Sequence, residues 1–263
     1  MRKNKLQLIK DRQAELAKEA GVTNYSEIAN PAKAPALSNL QQIKQANNGD
    51  SGAAQGNDLL NQLQAAMETD LGRLSNIPVI EDKAKVKVDL IKNYLPFVKD
   101  YIEKGHNYPN SIAVQVMVWL FDIGDIENAL SLGLALNHMP HQIMPERFKR
   151  DLPTYIADEV YEWANSQFKA EQSASPYLDQ FVAVTLNEKW DLHPLVLGKN
   201  MAMLAKHEFA KGNFIRSKHW CEKADEANPG KAGVKGLYAK TLKAIEESPP
   251  ITGVEQYIRS KTA

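Results

Sequence analysis

Large apolar residues recur every three or four positions along much of this 263-residue chain, and that spacing constrains its fold more than any other feature. One series runs through Leu60, Leu63, Met67, Leu71 and Leu74, and a second, after a break at 76–78, through Val88, Ile91, Leu95, Val98 and Ile102. Two such stripes joined by a short turn predict a helical hairpin over residues 58–108. Within it, Pro96 is expected to kink or restart the second helix, and Gly105 to end it.

The rest of the chain repeats the helical pattern, and no segment shows the convincing alternation of a strand. Residues 111–122 are apolar on most faces and predict a buried helix, which is too short to cross a bilayer. Asp125 is well placed to cap the helix that follows. Further helices are predicted at about 154–170 and 176–187. We therefore predict an all-α fold and no membrane association.

Residues 198–229 match the tetratricopeptide template at the positions that govern its packing, Leu204-Ala205, Gly212, Phe214, Ser217, Ala224 and Pro229. Small residues let the two helices approach, and the glycine forms the turn. We predict a tetratricopeptide-like hairpin over 192–247. Because about three repeats are needed for a free-standing array, this hairpin is expected to cap a larger helical body. A helical-repeat scaffold that binds another protein is one functional alternative.

The two ends of the chain differ from this helical part. Residues 1–28 predict a basic helix, and Leu16–Val22 is similar to the turn of a helix-turn-helix. Residues 29–57 are mostly Ala, Asn, Gln, Gly, Pro and Ser, which predicts a flexible linker. Residues 248–263 form a C-terminal tail.

The 32 basic and 32 acidic residues give a net charge of zero, which excludes a uniformly basic nucleic-acid coat protein. The charges are nevertheless segregated. Residues 196–243 hold ten basic and four acidic side chains, whereas residues 151–191 hold two basic and eight acidic side chains. Two smaller basic clusters are candidates for contact with DNA phosphates: Arg2, Lys3, Lys5, Lys10 and Arg12, and the loop cluster Arg147, Lys149 and Arg150. Cys221 is the single cysteine, so no intrachain disulfide can form, and a reducing cytoplasm fits best.

Four sequence blocks follow one another in a distinctive order: Tyr94–Val98, Val116–Leu120, Asp122–Ile126 with Ala129 and Leu130, and Met144–Val160 with the loop cluster. In these blocks, and over roughly residues 58–245, the chain resembles the small terminase subunits of tailed temperate phages whose DNA is cut at cohesive-end sites. Residues 109–191 correspond to the helical body of that family. The chain differs from it in a longer linker and in lacking a long Lys-rich C-terminal tail.

The resemblance implies a role in DNA packaging in the host cytoplasm. A small subunit of this kind recognises the packaging site on double-stranded phage DNA, assembles into a homo-oligomer, usually a ring, and recruits and regulates the large ATPase-nuclease subunit. The apolar series Leu60–Leu74, with Val88 and Ile91, is then a candidate oligomerisation surface, although a stripe at this spacing is normally core. The tail is a candidate docking segment for the large subunit.

Members of this family are often labelled terminase endonuclease subunits, so a Mg²⁺-dependent nuclease is the second functional alternative. Such an enzyme needs two or more carboxylates that converge on the metal. Asp122, Asp125 and Glu127 are the tight acidic group in the family blocks, but a capping role for Asp125 favours structure over catalysis. His138 and His141 are spaced like metal ligands, but Pro140 separates them and no third ligand is evident. No ATP-binding loop motif occurs, and we expect no cofactor unless the nuclease alternative holds.

Overall fold

The computed structural model describes residues 54–106, 108–139 and 141–248, and this part of the chain is all-helical, as predicted. A short 3-10 turn, Glu146–Phe148, interrupts the longest connection. The basic helix 1–28 and the tail from 249 onward lie outside the described residues. The helices are α1 Ala54–Ser75, α2 Ile80–Glu103, α3 Ser111–Ile123, α4 Ile126–His138, α5 Leu152–Lys169, α6 Tyr177–Asn187, α7 Pro194–Ala210, α8 Phe214–Ala227 and α9 Lys235–Glu247.

Two details of the predicted first hairpin differ in the structure. Helix α1 begins at Ala54, so residues 54–57 belong to the helix and not to the linker. Helix α2 also continues through Pro96 without restarting. Pro96 removes one helical hydrogen bond, but Tyr94, Phe97 and Val98 around it are buried, and this burial offsets the loss. As predicted, the helix ends just before Gly105, which has a φ of 62°.

Local signals in the sequence define both ends of α3 and the start of α4. The side chain of Asn110 caps α3 by accepting a hydrogen bond from the backbone N–H of Ala113 at 3.0 Å. Gly124 ends the helix in the left-handed region, with a φ of 79°. Asp125 then caps α4, as predicted. This Gly-Asp pair joins two 13-residue helices through a very short turn.

The chain divides into two compact units, residues 1–163 and 164–263, with the boundary inside α5. In the first unit, α3 packs against α1, α2 and α4, and ten of its thirteen residues are buried. Trp119 is 1% exposed, and its ring lies 6.0 Å from that of Tyr94. The hydroxyl of Tyr94 donates to Asp70 of α1 at 2.8 Å. The most apolar helix is thus the centre of this unit.

The side chains predicted to form an oligomerisation surface lie largely inside the first unit. Leu63, Met67, Leu74, Val88 and Ile91 are between 1% and 6% exposed. Leu60 and Leu71 are half-buried. The stripe therefore packs within a single copy, as amphipathic stripes usually do. Its role in oligomerisation stays a prediction.

In the second unit, α7 and α8 form a tightly packed helical hairpin that also contacts α9. Gly212 makes the turn with a φ of 78°, and the hydroxyl of Ser217 donates to the carbonyl of Ala205 at 2.9 Å. Cys221 is 1% exposed, and burial raises the pKa of its thiol to about 11, so it is a packed side chain and not a ready nucleophile. The closer likeness to a tetratricopeptide repeat stays a prediction.

Candidate nucleic-acid interface

The acidic side chains around the α3–α4 turn, Asp122, Asp125 and Glu127, have structural roles. Both carboxylate oxygens of Asp125 accept hydrogen bonds from Asn128, one from its backbone at 3.3 Å and one from its side chain at 2.8 Å. Burial raises the pKa of Asp125. Asp122 instead pairs with Lys87 of α2 at 2.6 Å. Glu127 lies in the first turn of α4, where its charge favours the helix dipole.

The two histidines lie at the end of α4 and in the loop beyond it. His138 is the last residue of the helix, and His141 adopts a φ of 67°. Across residues 54–106, 108–139 and 141–248, no group of three or more His, Cys, Asp or Glu side chains is placed to hold a metal ion.

The loop cluster follows α4, and its first arginine is held by a buried side chain. Arg147 donates to the side-chain oxygen of Gln115 at 2.5 Å. Gln115 is 3% exposed and lies in the middle of the apolar helix α3. The guanidinium of Arg147 also lies 4.7 Å from the ring centre of Phe148, and that ring packs edge-on against Tyr155 of α5. Arg147 therefore connects the loop to α3 and α5.

We expect Arg147→Ala to lower the free energy of unfolding by about 1–3 kcal/mol, because it leaves the oxygen of Gln115 buried without its partner. Hydrogen exchange across residues 141–151, combined with chemical denaturation, measures the effect. Lys149→Gln is the matched control, since it removes a cation from the same loop and is expected to change stability by less than about 0.5 kcal/mol. Equal stabilities for the two variants would contradict this structural role.

The other two cations of the loop cluster differ from each other. Arg150 forms an ion pair with Asp158 of α5. Lys149 is exposed, has a φ of 50°, and makes no ion pair with any carboxylate in the described part of the chain. Of the three, Lys149 is thus the cation that is available for an external phosphate.

A cavity of about 330 Å³ lies between the end of α4, the loop and the start of α5. Leu136, Met139, Met144 and Leu152 supply apolar lining, and His141, Gln142, Arg150 and Asp151 supply polar groups. Gln142 fixes one wall, because its side chain donates to the hydroxyl of Tyr101 at 3.0 Å and accepts from the backbone N–H of Asn110 at 3.1 Å.

Most of the basic side chains between positions 206 and 223 of the second unit pair with carboxylates. Arg216 and Lys211 approach Glu208 at 3.0 and 3.5 Å, and the side chain of Glu208 is only 2% exposed. Arg216 also reaches Asp179 of α6 at 3.3 Å. Lys218 and Lys223 form ion pairs within α8, and Lys206 is half-buried. This part of the positive charge is largely neutralised inside the unit.

Three further exposed cations of the second unit, Lys231, Lys235 and Lys240, lie beyond this stretch of the chain. They contributed to the net charge of 196–243 but were not singled out from the sequence. The signal that identifies them is the stretch 227–245, which contains four lysines and no acidic residue. The N-terminal cluster Arg2, Lys3, Lys5, Lys10 and Arg12 lies outside the described residues.

Residues 64–194 match the family described as phage small terminase subunit. A "probable terminase, endonuclease subunit" of Haemophilus phage HP1 (strain HP1c1) is 32% identical over 172 residues, which cover 65% of this chain and 60% of that protein. A "terminase, endonuclease subunit" of Escherichia phage P2 is 32% identical over 100 residues, 38% of this chain and 40% of that protein. The alignments thus span about half the length of these relatives. No solved structure matches the chain.

The family match begins inside α1 and ends at the first residue of α7, so it takes in the buried helix α3, the capped turn before α4 and the loop cluster. These are the elements on which the resemblance of the sequence rests. No helix in the described part of the chain is long and apolar enough to cross a membrane. The chain belongs to the family of phage small terminase subunits.

Proposed function

We propose that the chain acts in the packaging of phage DNA as a subunit that binds the double-stranded viral genome at its packaging site and recruits the large ATPase-nuclease subunit. The observation that carries this proposal is the family match over residues 64–194, which is joined by two relatives that bear terminase names. Binding to phosphates would use the N-terminal cluster and Lys149, because Arg147 and Arg150 already have partners within the chain.

A mobility-shift assay with the full chain tests this proposal. The probes are a duplex that carries the packaging site and a scrambled duplex of equal length and composition. We expect the site duplex to bind about 10³-fold more tightly, as is usual for specific recognition of DNA. In parallel, the tagged large subunit should retain the chain on a column. A chain that shifts neither duplex at low salt and is not retained would contradict the proposal.

We also propose that the chain assembles into a ring of identical copies. The support is the segregation of charge along the sequence, since residues 151–191 hold eight acidic and two basic side chains and 196–243 the reverse excess, of which only a part, such as Arg216 with Asp179, is paired across the two segments within one copy. Opposite surfaces on neighbouring copies would attract and fix their register. Native mass measurement at two salt concentrations tests this proposal: we expect a single closed oligomer at low salt, and a strictly monomeric chain would contradict it.

The names of both relatives favour a second candidate, an endonuclease, for which Asp122 and Asp125 would be the candidate Mg²⁺ ligands. The test is to incubate the chain, without the large subunit, with packaging-site DNA and Mg²⁺. Asp125→Asn is the informative variant, because asparagine can still cap α4 while it removes the carboxylate charge. Nicking by the natural chain that Asp125→Asn abolishes, with the helical signal retained, would establish the nuclease. Since both oxygens of Asp125 are already occupied, we expect no nicking.

A further inference from the structure

The turn after α8 and the first half of α9 carry positive charge that no acidic side chain in the same segment offsets. Residues 227–245 include four lysines and neither Asp nor Glu. Lys231, Lys235 and Lys240 are exposed, and none of them forms an ion pair with a described residue. The fourth, Lys243, pairs with Glu247 at 3.6 Å. Of the two acidic residues just before the segment, Glu226 pairs with Lys223 at 2.6 Å, and Asp225 accepts a hydrogen bond from the backbone N–H of Gly230 at 3.0 Å.

The surface between these lysines is smooth. Along α9, Lys235, Lys240 and Lys243 fall within an arc of about 140° of the helix circumference, since each residue turns by about 100°. Gly236 and Ala239 lie on the same arc and are exposed, and a side chain added at Gly236 would meet nothing within 4 Å. The large side chains of this helix, such as Leu237 and Tyr238, are half-buried on the other side. Glu246 and Glu247 fall on the same arc in the last turn of α9, where Glu247 pairs with Lys243, so the unobstructed approach for a long, regular polyanion is along the earlier turns, at Lys235 and Lys240.

We propose that Lys231, Lys235 and Lys240, which we name the α9 lysine surface, contact the phosphate backbone of double-stranded DNA. This inference rests on the proposed function and adds a DNA-contacting surface to the second unit. Lysines are flexible point charges that suit contacts with phosphates regardless of sequence. Lysine is depleted from protein–protein interfaces, whereas aromatic residues and arginine are enriched there, and the α9 lysine surface has neither. Its composition thus favours a nucleic acid over an acidic protein.

The α9 lysine surface also differs from the other cations of the second unit in what its removal would disturb. Arg216 and Lys211 pair with the buried carboxylate of Glu208, so their substitution would destabilise the hairpin. Lys231, Lys235 and Lys240 make no side-chain contact of that kind with the described residues. Their substitution should therefore change affinity for DNA without changing stability.

The test compares two triple variants of the full chain in fluorescence-anisotropy titrations of a labelled duplex at several salt concentrations. One carries Lys231→Gln, Lys235→Gln and Lys240→Gln. The control carries Lys85→Gln, Lys92→Gln and Lys104→Gln, which removes the same net charge from exposed lysines that already pair with Asp82, Asp89 and Asp100 in or beside α2. Circular dichroism checks that both variants remain helical.

We expect the first variant to make the slope of log affinity against log salt shallower by about one for each lysine, and the control to leave the slope close to that of the natural chain. Equal slopes in the two variants, with binding by the natural chain intact, would overturn the α9 lysine surface but not the proposed function. If the first variant keeps the slope of the natural chain but no longer assembles in native mass measurement, the three lysines contact an acidic protein surface. That result would overturn the proposed contact between the α9 lysine surface and DNA. A natural chain that binds no duplex would overturn both.

Discussion

Trp119→Ala is expected to lower the free energy of unfolding of the first unit by about 3–5 kcal/mol, the usual cost of removing a fully buried tryptophan. The side chain is 1% exposed, and its ring packs against that of Tyr94 at 6.0 Å. It lies in α3, whose neighbours are α1, α2 and α4, so a cavity there would weaken contacts with several helices at once. Close-packed interiors relax only partly around such a cavity.

Hydrogen exchange of peptides from α3 measures this loss within the first unit, because a chain of two compact units need not unfold in one step. Ile80→Ala is the matched control, since Ile80 belongs to the same unit but is 66% exposed. We expect the control to change stability by less than about 0.5 kcal/mol. Protection of α3 that survives Trp119→Ala would mean that this helix is not the centre of the core.

Glu208→Ala is expected to destabilise the second unit by about 3 kcal/mol, at the low end of the range for a broken buried ion pair. The carboxylate is 2% exposed, and one oxygen receives both the guanidinium of Arg216 and the side-chain amide of Asn213 at 3.0 Å. Arg216 is itself 59% exposed, so water can solvate it once the carboxylate is gone, and this limits the loss. Glu208→Gln keeps an oxygen for Asn213 and should cost less.

The control for Glu208 is Glu226→Ala, which removes an acidic residue from an exposed pair with Lys223 on α8. Surface pairs of this kind contribute at most about 1 kcal/mol. Chemical denaturation, with hydrogen exchange of α7 and α8 peptides, ranks the three variants. We expect the alanine variant at 208 to be the least stable and the variant at 226 the most stable. A cost at position 226 equal to that at 208 would show that the burial of Glu208 is not what matters.

The helices of this chain were predictable because the signals that form them are local. The apolar spacing of α1 and α2 and the capping residues of the α3–α4 turn all act within a few positions of one another. Pro96 does not restart α2, because its local preference is overridden by burial of the residues around it, which depends on tertiary packing.

The candidate site was much less predictable, because the pairing of its basic side chains depends on residues that are distant in the sequence. Arg147 is separated by 32 positions from Gln115, and Arg216 by 37 from Asp179. In the sequence, Gln115 is a polar residue within an apolar segment and Arg216 is one cation of the basic stretch 196–243, and neither position reveals its partner. The fold thus decides which lysines and arginines remain available for DNA: it pairs Arg147 and Arg216 with other side chains, whereas Lys149 and the α9 lysine surface form no ion pair with a described residue.

We propose that this member of the small terminase family binds duplex DNA through phosphate contacts. The most direct test is the affinity of the full chain for packaging-site DNA, measured by anisotropy across about 50 to 200 mM salt. If six or more phosphates are contacted, the affinity should fall by about 10³-fold or more over that range. A chain that shows no binding at the lowest salt, or an affinity that salt does not change, would contradict the claim.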